Sequence, residues 1–333
     1  MNKRTAAILI AIVVVIGGAF IGTNRYRAVD DKADEFSQGL VDRFGVFDFA
    51  NREKIIYEGS KNQRIAVLTL NGTIGSEGSY MPGASNSMNF LNQLDRAYED
   101  PTVSAVLIRV NSPGGGVYES RLMRDKIQKI RQDKGMTVPV YVCMESMAAS
   151  GGYYISAETD KIIASPDTLT GSIGVIMQSI NYQGLMEKYG VKSEVFKSGA
   201  KKDILSPTRE MTDDERAIMQ ELIDNSYARF LKVVSDGRNI PIEKLKPIAD
   251  GRIYDGEQAK ALGLVDELGS VEDALDMLIK DSKLEKAEVF SYESPSDFFS
   301  EFFGKFSSKS ELSEILNLPK ANSSLMYIYE GAL

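Results

Sequence analysis

Histidine is absent from all 333 positions of the chain, and cysteine occurs once. The absence of histidine excludes a Ser-His-Asp triad, a Cys-His dyad and the usual zinc ligand sets. Any nucleophile in this protein therefore needs a different base. The lone cysteine excludes an intramolecular disulfide. Because Cys143 lies in the apolar run 138–144, we expect a small buried side chain on a strand.

Negative charge exceeds positive charge, with 47 Asp and Glu against 39 Lys and Arg and a net charge of −8. Nucleic-acid binding depends mainly on Lys and Arg that neutralise phosphates, so this balance argues against a nucleic-acid partner. With 43% hydrophobic and 26% charged residues, the composition is that of a globular protein.

A long apolar run, residues 5–24, carries no charge over a length that matches the core of a bilayer. A cleaved signal peptide is the alternative, because Lys3 and Arg4 precede the run. The run is longer than a usual signal core and is followed by a poor cleavage site, which favours an uncleaved transmembrane anchor. Positive residues flank both ends, so the positive-inside rule leaves the topology open.

The chain divides by composition into a short tail, the anchor, a polar stalk, a globular domain and a C-terminal tail. Their ranges are 1–4, 5–24, 25–62, 63–292 and 293–333. Five phenylalanines in the last range form an aromatic stripe at helical spacing, which could contact the bilayer, a neighbouring subunit or the domain itself. They are Phe298, Phe299, Phe302, Phe303 and Phe306.

Strands and helices alternate in the globular domain, which predicts an α/β fold with a mostly parallel sheet and surrounding helices. The predicted strands are 65–70, 103–110, 138–144 and 161–164, with a further strand-like segment at 193–196. The predicted helices are 88–98, 119–132 and 181–189. Two capping boxes, Thr212 with Glu215 and Ser270 with Asp273, predict the starts of two more amphipathic helices. We expect the apolar stripe of the first to be core or a protomer interface.

A glycine-rich segment, 111–116, follows the predicted strand 103–110. Its glycines would let a substrate carbonyl come close to a backbone amide, as an oxyanion hole requires. A tight turn is the alternative. A phosphate-binding loop is disfavoured, because no Gly-Lys-Ser/Thr follows.

A second segment, 146–154, follows the predicted strand 138–144. Small neighbours leave room for a peptide backbone at Ser150, and the amide of Gly151 would be a natural oxyanion donor. A helix cap or a packing serine is the alternative for Ser150. Ser146 competes for the role of nucleophile, although Met147 crowds it.

The third segment, 197–203, contains three lysines. A lysine can act as a general base only if its pKa falls from about 10.4 toward neutrality, through burial or nearby positive charge. The residues alone leave open which of Lys197, Lys201 and Lys202 would do so, and solvated surface lysines are the alternative.

Four strings occur in order along the chain: NSPGGGVYES, SMAASGGYYIS, TLTGSIGV and KSGAKKDILSPTREMT. They resemble bacterial signal peptide peptidase A of the short, single-repeat type, in the Clp protease and crotonase superfamily, over about residues 64–292. The resemblance implies a Clp protease/crotonase-like fold. It also implies that Ser150 is the nucleophile, Lys202 the general base and Ser172 a serine that orients the lysine. Gly115 and Gly151 would supply the oxyanion-hole amides, and no metal or cofactor is implied.

The resemblance further implies a membrane-anchored serine endopeptidase that degrades remnant signal peptides and other unfolded apolar peptides. Ring-shaped homo-oligomers of about eight protomers are expected, with serine and lysine of one site coming from adjacent protomers. The N-terminus would be cytoplasmic and the catalytic domain extracytoplasmic.

Two other functions remain open. A non-catalytic, membrane-anchored oligomeric scaffold would tolerate replacement of Ser150 and Lys202. An acyl-CoA hydratase or isomerase of the same superfamily would need neither the anchor nor that pair. The tail 325–333 is apolar and ends in small residues, so we hypothesise that it enters an active site and is trimmed or blocks it.

Overall fold

The computed structural model describes residues 52–75, 86–132 and 138–293, together with the backbone of 326–328. The chain divides into two compact units, the first formed by Met1–Lys54, Gly78–Ala84 and Tyr292–Lys309. The second unit, formed by Ile55–Glu77, Ser85–Ser291 and Ser310–Leu333, holds nearly all of the described residues.

The predicted anchor at 5–24 and the phenylalanine stripe lie outside the described residues, so both stay predictions. Among the residues that the structure describes, no helix is long and apolar enough to cross a bilayer.

The strands include every one that the apolar runs predicted, usually with longer bounds. They are β1 (Glu53–Tyr57), β2 (Ser60–Asn71), β3 (Val103–Ser112), β4 (Gly114–Gly116), β5 (Val140–Ala149), β6 (Lys161–Ala164), β7 (Leu169–Gly171), β8 (Ile253–Tyr254), β9 (Glu267–Leu268), β10 (Ala287–Tyr292) and β11 (Met326–Ile328). The exception is the strand-like segment 193–196, where the prediction is wrong: these residues are exposed and belong to no strand.

The predicted helices are confirmed. The described helices are α1 (Asn86–Glu99), α2 (Val117–Gln132), α3 (Gly151–Ser156), α4 (Gln183–Lys188), α5 (Asp213–Arg238), α6 (Ile242–Leu245), α7 (Gly256–Ala261) and α8 (Val271–Ser282), with a 3-10 turn at Lys246–Ile248. Both capping boxes are present, Thr212 with Glu215 at α5 and Ser270 with Asp273 at α8.

The main sheet has the strand order β1-β10-β2-β3-β5-β6-β9 within the described residues. From β10 to β9 every neighbouring pair is parallel. The short strand β7 also pairs in parallel with β5, and β8 joins β7 in the antiparallel sense. Parallel neighbours need crossover connections, which α1 and α2 provide between β2, β3 and β5. The predicted α/β fold with a mostly parallel sheet is therefore confirmed.

The central strands are buried on both faces, which explains why they appear in the sequence as continuous apolar runs rather than alternating ones. One side of the sheet packs on α8 through Ala274, Leu275 and Leu278. Cys143 belongs to this core cluster and is only 1% exposed, as predicted. Burial raises the pKa of its thiol to about 12.

Two features of the structure add to the sequence prediction. β1 and the first residues of β2 fall inside the range 25–62, so the sheet begins ahead of residue 63. In α5, the apolar stripe is buried toward the C-terminal end but leaves Ile218 and Leu222 41% and 43% exposed near its start. One chain therefore covers only part of that stripe.

Candidate active site

Ser150 occupies a strained turn between the end of β5 and the start of α3, with φ of 52° and ψ of −111°. Positive φ is uncommon outside glycine and persists only where the surroundings enforce it. Here the Ser150 amide donates to the Gly171 carbonyl at 2.8 Å, and the Ser150 carbonyl accepts from the Tyr154 amide at 2.8 Å. A strained strand-to-helix turn of this kind presents the serine nucleophile in several hydrolase folds.

The Ser150 hydroxyl is buried and lacks a hydrogen-bond partner among the described residues. Although Ser150 stands at the N-cap position of α3, its side chain makes no capping hydrogen bond. A buried hydroxyl without a partner costs free energy, so a cap or packing role does not account for this residue. The arrangement instead suits a hydroxyl whose hydrogen-bond partner comes from outside the described chain.

Ser146, the competing serine, lies on β5 in a different environment. It is exposed, and its hydroxyl donates to Asn111 Oδ1 at 2.7 Å. Ser146 therefore has neither the strained turn nor the free hydroxyl that distinguish Ser150.

The glycine-rich segment forms β4, which packs backbone to backbone against the residues after β2. The Ile74 amide donates to the Gly114 carbonyl at 2.7 Å, and the Gly116 amide donates to the Ile74 carbonyl at 2.7 Å. A Cβ at Gly115 would lie 1.7 Å from the Ile74 oxygen. Only glycine fits at this position, for a steric reason that the sequence did not reveal.

The two glycines expected to form an oxyanion hole lie against each other. A Cβ at Gly151 would lie 3.1 Å from the Gly115 nitrogen and 2.6 Å from Ser120 Oγ. Ser120 is buried, and its hydroxyl donates to the Gly116 carbonyl at 2.8 Å. The Ser120 side chain thus lies between the end of β4 and Gly151. Sequence reasoning missed it, although a serine in the first turn of the helix after three glycines was an available signal.

Ser172 lies at the same edge of the sheet as Ser150. Ala149 of β5 pairs in register with Gly171 of β7, and each serine directly follows its strand. Ser172 also has a positive φ of 49°, and its amide donates to the Arg252 carbonyl at 2.8 Å. The fold therefore brings together Ser150, Ser172 and the glycine pair.

Lys202 is not part of this group within one chain. It is exposed, on the long segment between β7 and α5, and no described side chain, Lys202 included, hydrogen-bonds to Ser150 Oγ. The other two lysines of the segment are engaged, Lys197 with Asp203 at 2.6 Å and Lys201 with Asp214 at 3.7 Å. Within the described chain the Lys202 side chain makes no such contact.

The segment that carries Lys202 also exposes a series of large apolar side chains. Phe196 is 96% and Tyr189 is 71% exposed. The others with large exposed fractions are Ile176, Ile180, Tyr182, Leu185, Val191 and Val195. Apolar surface of this extent usually marks a site of contact with another molecule.

The edge of β4 that does not contact Ile74 pairs with β11, a segment near the C-terminus. The pairing is antiparallel, with Tyr327 opposite Gly115, and β11 also contacts α2 and α3. The backbone next to the Ser150 turn therefore accepts an extended strand.

Comparison with known proteins identifies the family. Residues 132–285, which include Ser150, Ser172 and Lys202, match the model of peptidase family S49. An Enterococcus faecium protein named as a signal peptide peptidase, SppA, is 45% identical over 250 residues, covering 74% of this chain and 72% of that protein. The chain belongs to peptidase family S49. It is a serine peptidase.

The S49 peptidase is also similar to two other proteins. Protease 4 of Salmonella typhi is 38% identical over 229 residues, covering 69% of this chain but only 36% of that protein. A ClpP1 mutant from Listeria monocytogenes matches 63% of this chain and 94% of its own, with a TM-score of 0.40 and 18% identity.

Proposed function

We propose that this S49 peptidase is a membrane-anchored endopeptidase with a Ser/Lys dyad, in which Ser150 is the nucleophile and Lys202 the general base. The observation that carries the proposal is the buried, unpartnered Ser150 hydroxyl on a strained turn beside Gly115 and Gly151. A serine without histidine needs another base, and a neutral lysine can fill that role.

In the proposed reaction, neutral Lys202 takes the hydroxyl proton of Ser150 as the oxygen attacks a peptide carbonyl. The amides of Gly115 and Gly151 donate hydrogen bonds to the oxyanion. The lysine then gives the proton to the leaving amine, and it activates the water that hydrolyses the acyl-enzyme. Ser172 orients the lysine by a hydrogen bond. Because only a neutral lysine accepts a proton, activity rises as the solution becomes alkaline.

A neighbouring protomer supplies Lys202 in this proposal. Two observations support a shared site: Ser150 has no partner within the described chain, and the segment bearing Lys202 exposes Tyr189 and Phe196. The uncovered start of α5 offers further apolar surface. A closed head-to-tail ring, of about eight protomers, would bury these surfaces and complete every site.

Substrates bind as extended strands along β4 in this proposal. The antiparallel pairing of β11 with β4 supports this mode, because main-chain hydrogen bonds at a strand edge require an unfolded partner. Remnant signal peptides and other unfolded apolar peptides fit this requirement, and the name of the E. faecium relative supports the first. The run 5–24 would hold the N-terminus on the cytoplasmic side and the catalytic domain outside.

Mixing two inactive variants tests the dyad and its sharing together. Ser150→Ala and Lys202→Ala are each expected to be inactive on a fluorogenic apolar peptide. Co-assembled in equal amounts, they should recover about a quarter of the wild-type activity, because one interface in four joins an intact serine to an intact lysine.

Recovery would support a site built by two protomers. Two inactive parents without recovery would place the lysine and serine in the same chain. Full activity in either parent would contradict the assigned role of that residue.

A further inference from the structure

Arg209 ties the turn next to Lys202 to the start of α5. Its Nε and Nη2 donate to the two Asp203 carboxylate oxygens at 2.9 and 2.8 Å. Its Nη1 and Nη2 also donate to the two oxygens of Glu215 at 2.8 and 2.7 Å. Glu215 is buried and accepts from the Thr212 amide at 3.0 Å as part of the α5 capping box. One guanidinium thus joins a loop carboxylate to a helix cap.

The Asp203 carboxylate is fully engaged by cations. Besides the two bonds from Arg209, Asp203 Oδ1 accepts from Lys197 Nζ at 2.6 Å. The hydrogen bonds from Arg209 and then from Lys197 hold the pKa of Asp203 well below its usual range. Asp203 therefore stays an anion whose two oxygens are already taken.

Asp203 directly follows Lys202 in the chain, and consecutive Cα atoms lie about 3.8 Å apart. If its carboxylate paired with the Lys202 ammonium, it would stabilise the protonated form and oppose its use as a base. Other charged groups also contact this turn. They are Lys197, Lys201 and Arg209 from the segment itself and Asp214 and Glu215 from α5.

We propose that Arg209 is a positioning residue for the general base: by engaging Asp203, it fixes the turn and keeps this carboxylate from pairing with Lys202. The inference rests on the proposed role of Lys202 and extends it to a residue that does not touch the substrate. Arg209 lies in the fourth string of the family resemblance, KSGAKKDILSPTREMT, which implies no function for it.

The test is the pH dependence of kcat/KM for the full chain in detergent, with a fluorogenic apolar peptide. In Arg209→Gln, Asp203 loses its bidentate partner but keeps Lys197 at Oδ1, so its Oδ2 becomes free to pair with Lys202. The alkaline rise in kcat/KM should then move up by about one pH unit, which lowers kcat/KM at neutral pH about tenfold. In the double variant Arg209→Gln/Asp203→Asn, the competing carboxylate is gone, so the midpoint should return toward the wild-type value.

Arg131→Gln is the matched control, because Arg131 makes a comparable fork with Asp160 at 3.1 and 2.5 Å, far along the chain from the site. Its profile should keep the wild-type midpoint. A uniform loss of activity in Arg209→Gln with an unmoved midpoint would reduce Arg209 to a structural role and overturn the inference. So would a double variant that shows the same shift as Arg209→Gln.

Lys202→Ala separates this inference from the proposed function. If Lys202→Ala is inactive and the midpoint in Arg209→Gln does not move, the inference alone fails. If Lys202→Ala keeps wild-type activity, the proposed dyad fails and the role of Arg209 falls with it.

Discussion

Gly151→Ala should disable the active site through a contact that the structure makes explicit. The new methyl group would lie 2.6 Å from Ser120 Oγ and 3.1 Å from both Gly114 Cα and the Gly115 nitrogen. Rotation of Ser120 could relieve the first contact, but it would break the hydrogen bond to the Gly116 carbonyl. The other two contacts involve backbone that pairs with Ile74 and cannot move alone.

Two magnitudes follow from this crowding. Insertion of a methyl group into packed backbone costs about 1–3 kcal/mol, and the lost Ser120 hydrogen bond adds about 1 kcal/mol to the destabilisation. Displacement of an oxyanion donor lowers kcat by about a hundred- to a thousandfold. We therefore expect a loss in kcat that greatly exceeds what the change in stability would cause, with KM little changed.

The assay combines steady-state hydrolysis of a fluorogenic apolar peptide with urea unfolding. Gly174→Ala is the control, because a Cβ there would meet nothing closer than 3.4 Å. In Gly151→Ala/Ser120→Ala the closest contact disappears, so part of the lost stability should return. Wild-type kcat in Gly151→Ala would refute the assignment of this backbone to the oxyanion hole.

Three further outcomes are expected. Thr212→Ala should lower the unfolding free energy by about 0.5–2 kcal/mol, since the cap of α5 is lost, and an unchanged urea midpoint would contradict the capping contact. The pKa of Glu215 is lowered to about 2, chiefly by hydrogen bonds from Arg209, so its contribution to stability is present above its usual pKa of 4.5 and is lost as the pH falls toward 2. Glu215→Gln should show a weaker acid dependence of thermal unfolding across that interval, and an identical dependence would refute this linkage. If β11 blocks β4, deletion of 326–333 should raise kcat/KM for an added peptide. If the tail is self-processed, mass spectrometry should find it trimmed in the wild type and intact in Ser150→Ala. Equal trimming in both proteins would contradict self-processing.

The central strands were predictable because a parallel strand covered on both faces is apolar at nearly every position. That pattern located β3 and β5, and with them the two segments that carry Gly115 and Ser150. The strand prediction for segment 193–196 was wrong for a different reason. Its β-branched and aromatic residues have strand propensity, but strand formation depends on a partner, and these residues have none within the described chain.

The assembly of the site was less accessible from the sequence. Ser172 lies near Ser150 because β7, only three residues long, pairs with β5, and such a strand has no periodic signal. The contacts of Arg209 depend on the path of a loop rather than on a motif. The position of Lys202 depends, in our proposal, on a second protomer, which no pattern within one chain can locate.

The most direct test of the central claim compares wild-type protein with Ser150→Ala and Ser146→Ala, as full chains in detergent, in the hydrolysis of a fluorogenic apolar peptide. The account predicts background activity in Ser150→Ala with its oligomer intact, and near-wild-type activity in Ser146→Ala. Wild-type activity in Ser150→Ala would contradict it and move the nucleophile to another residue.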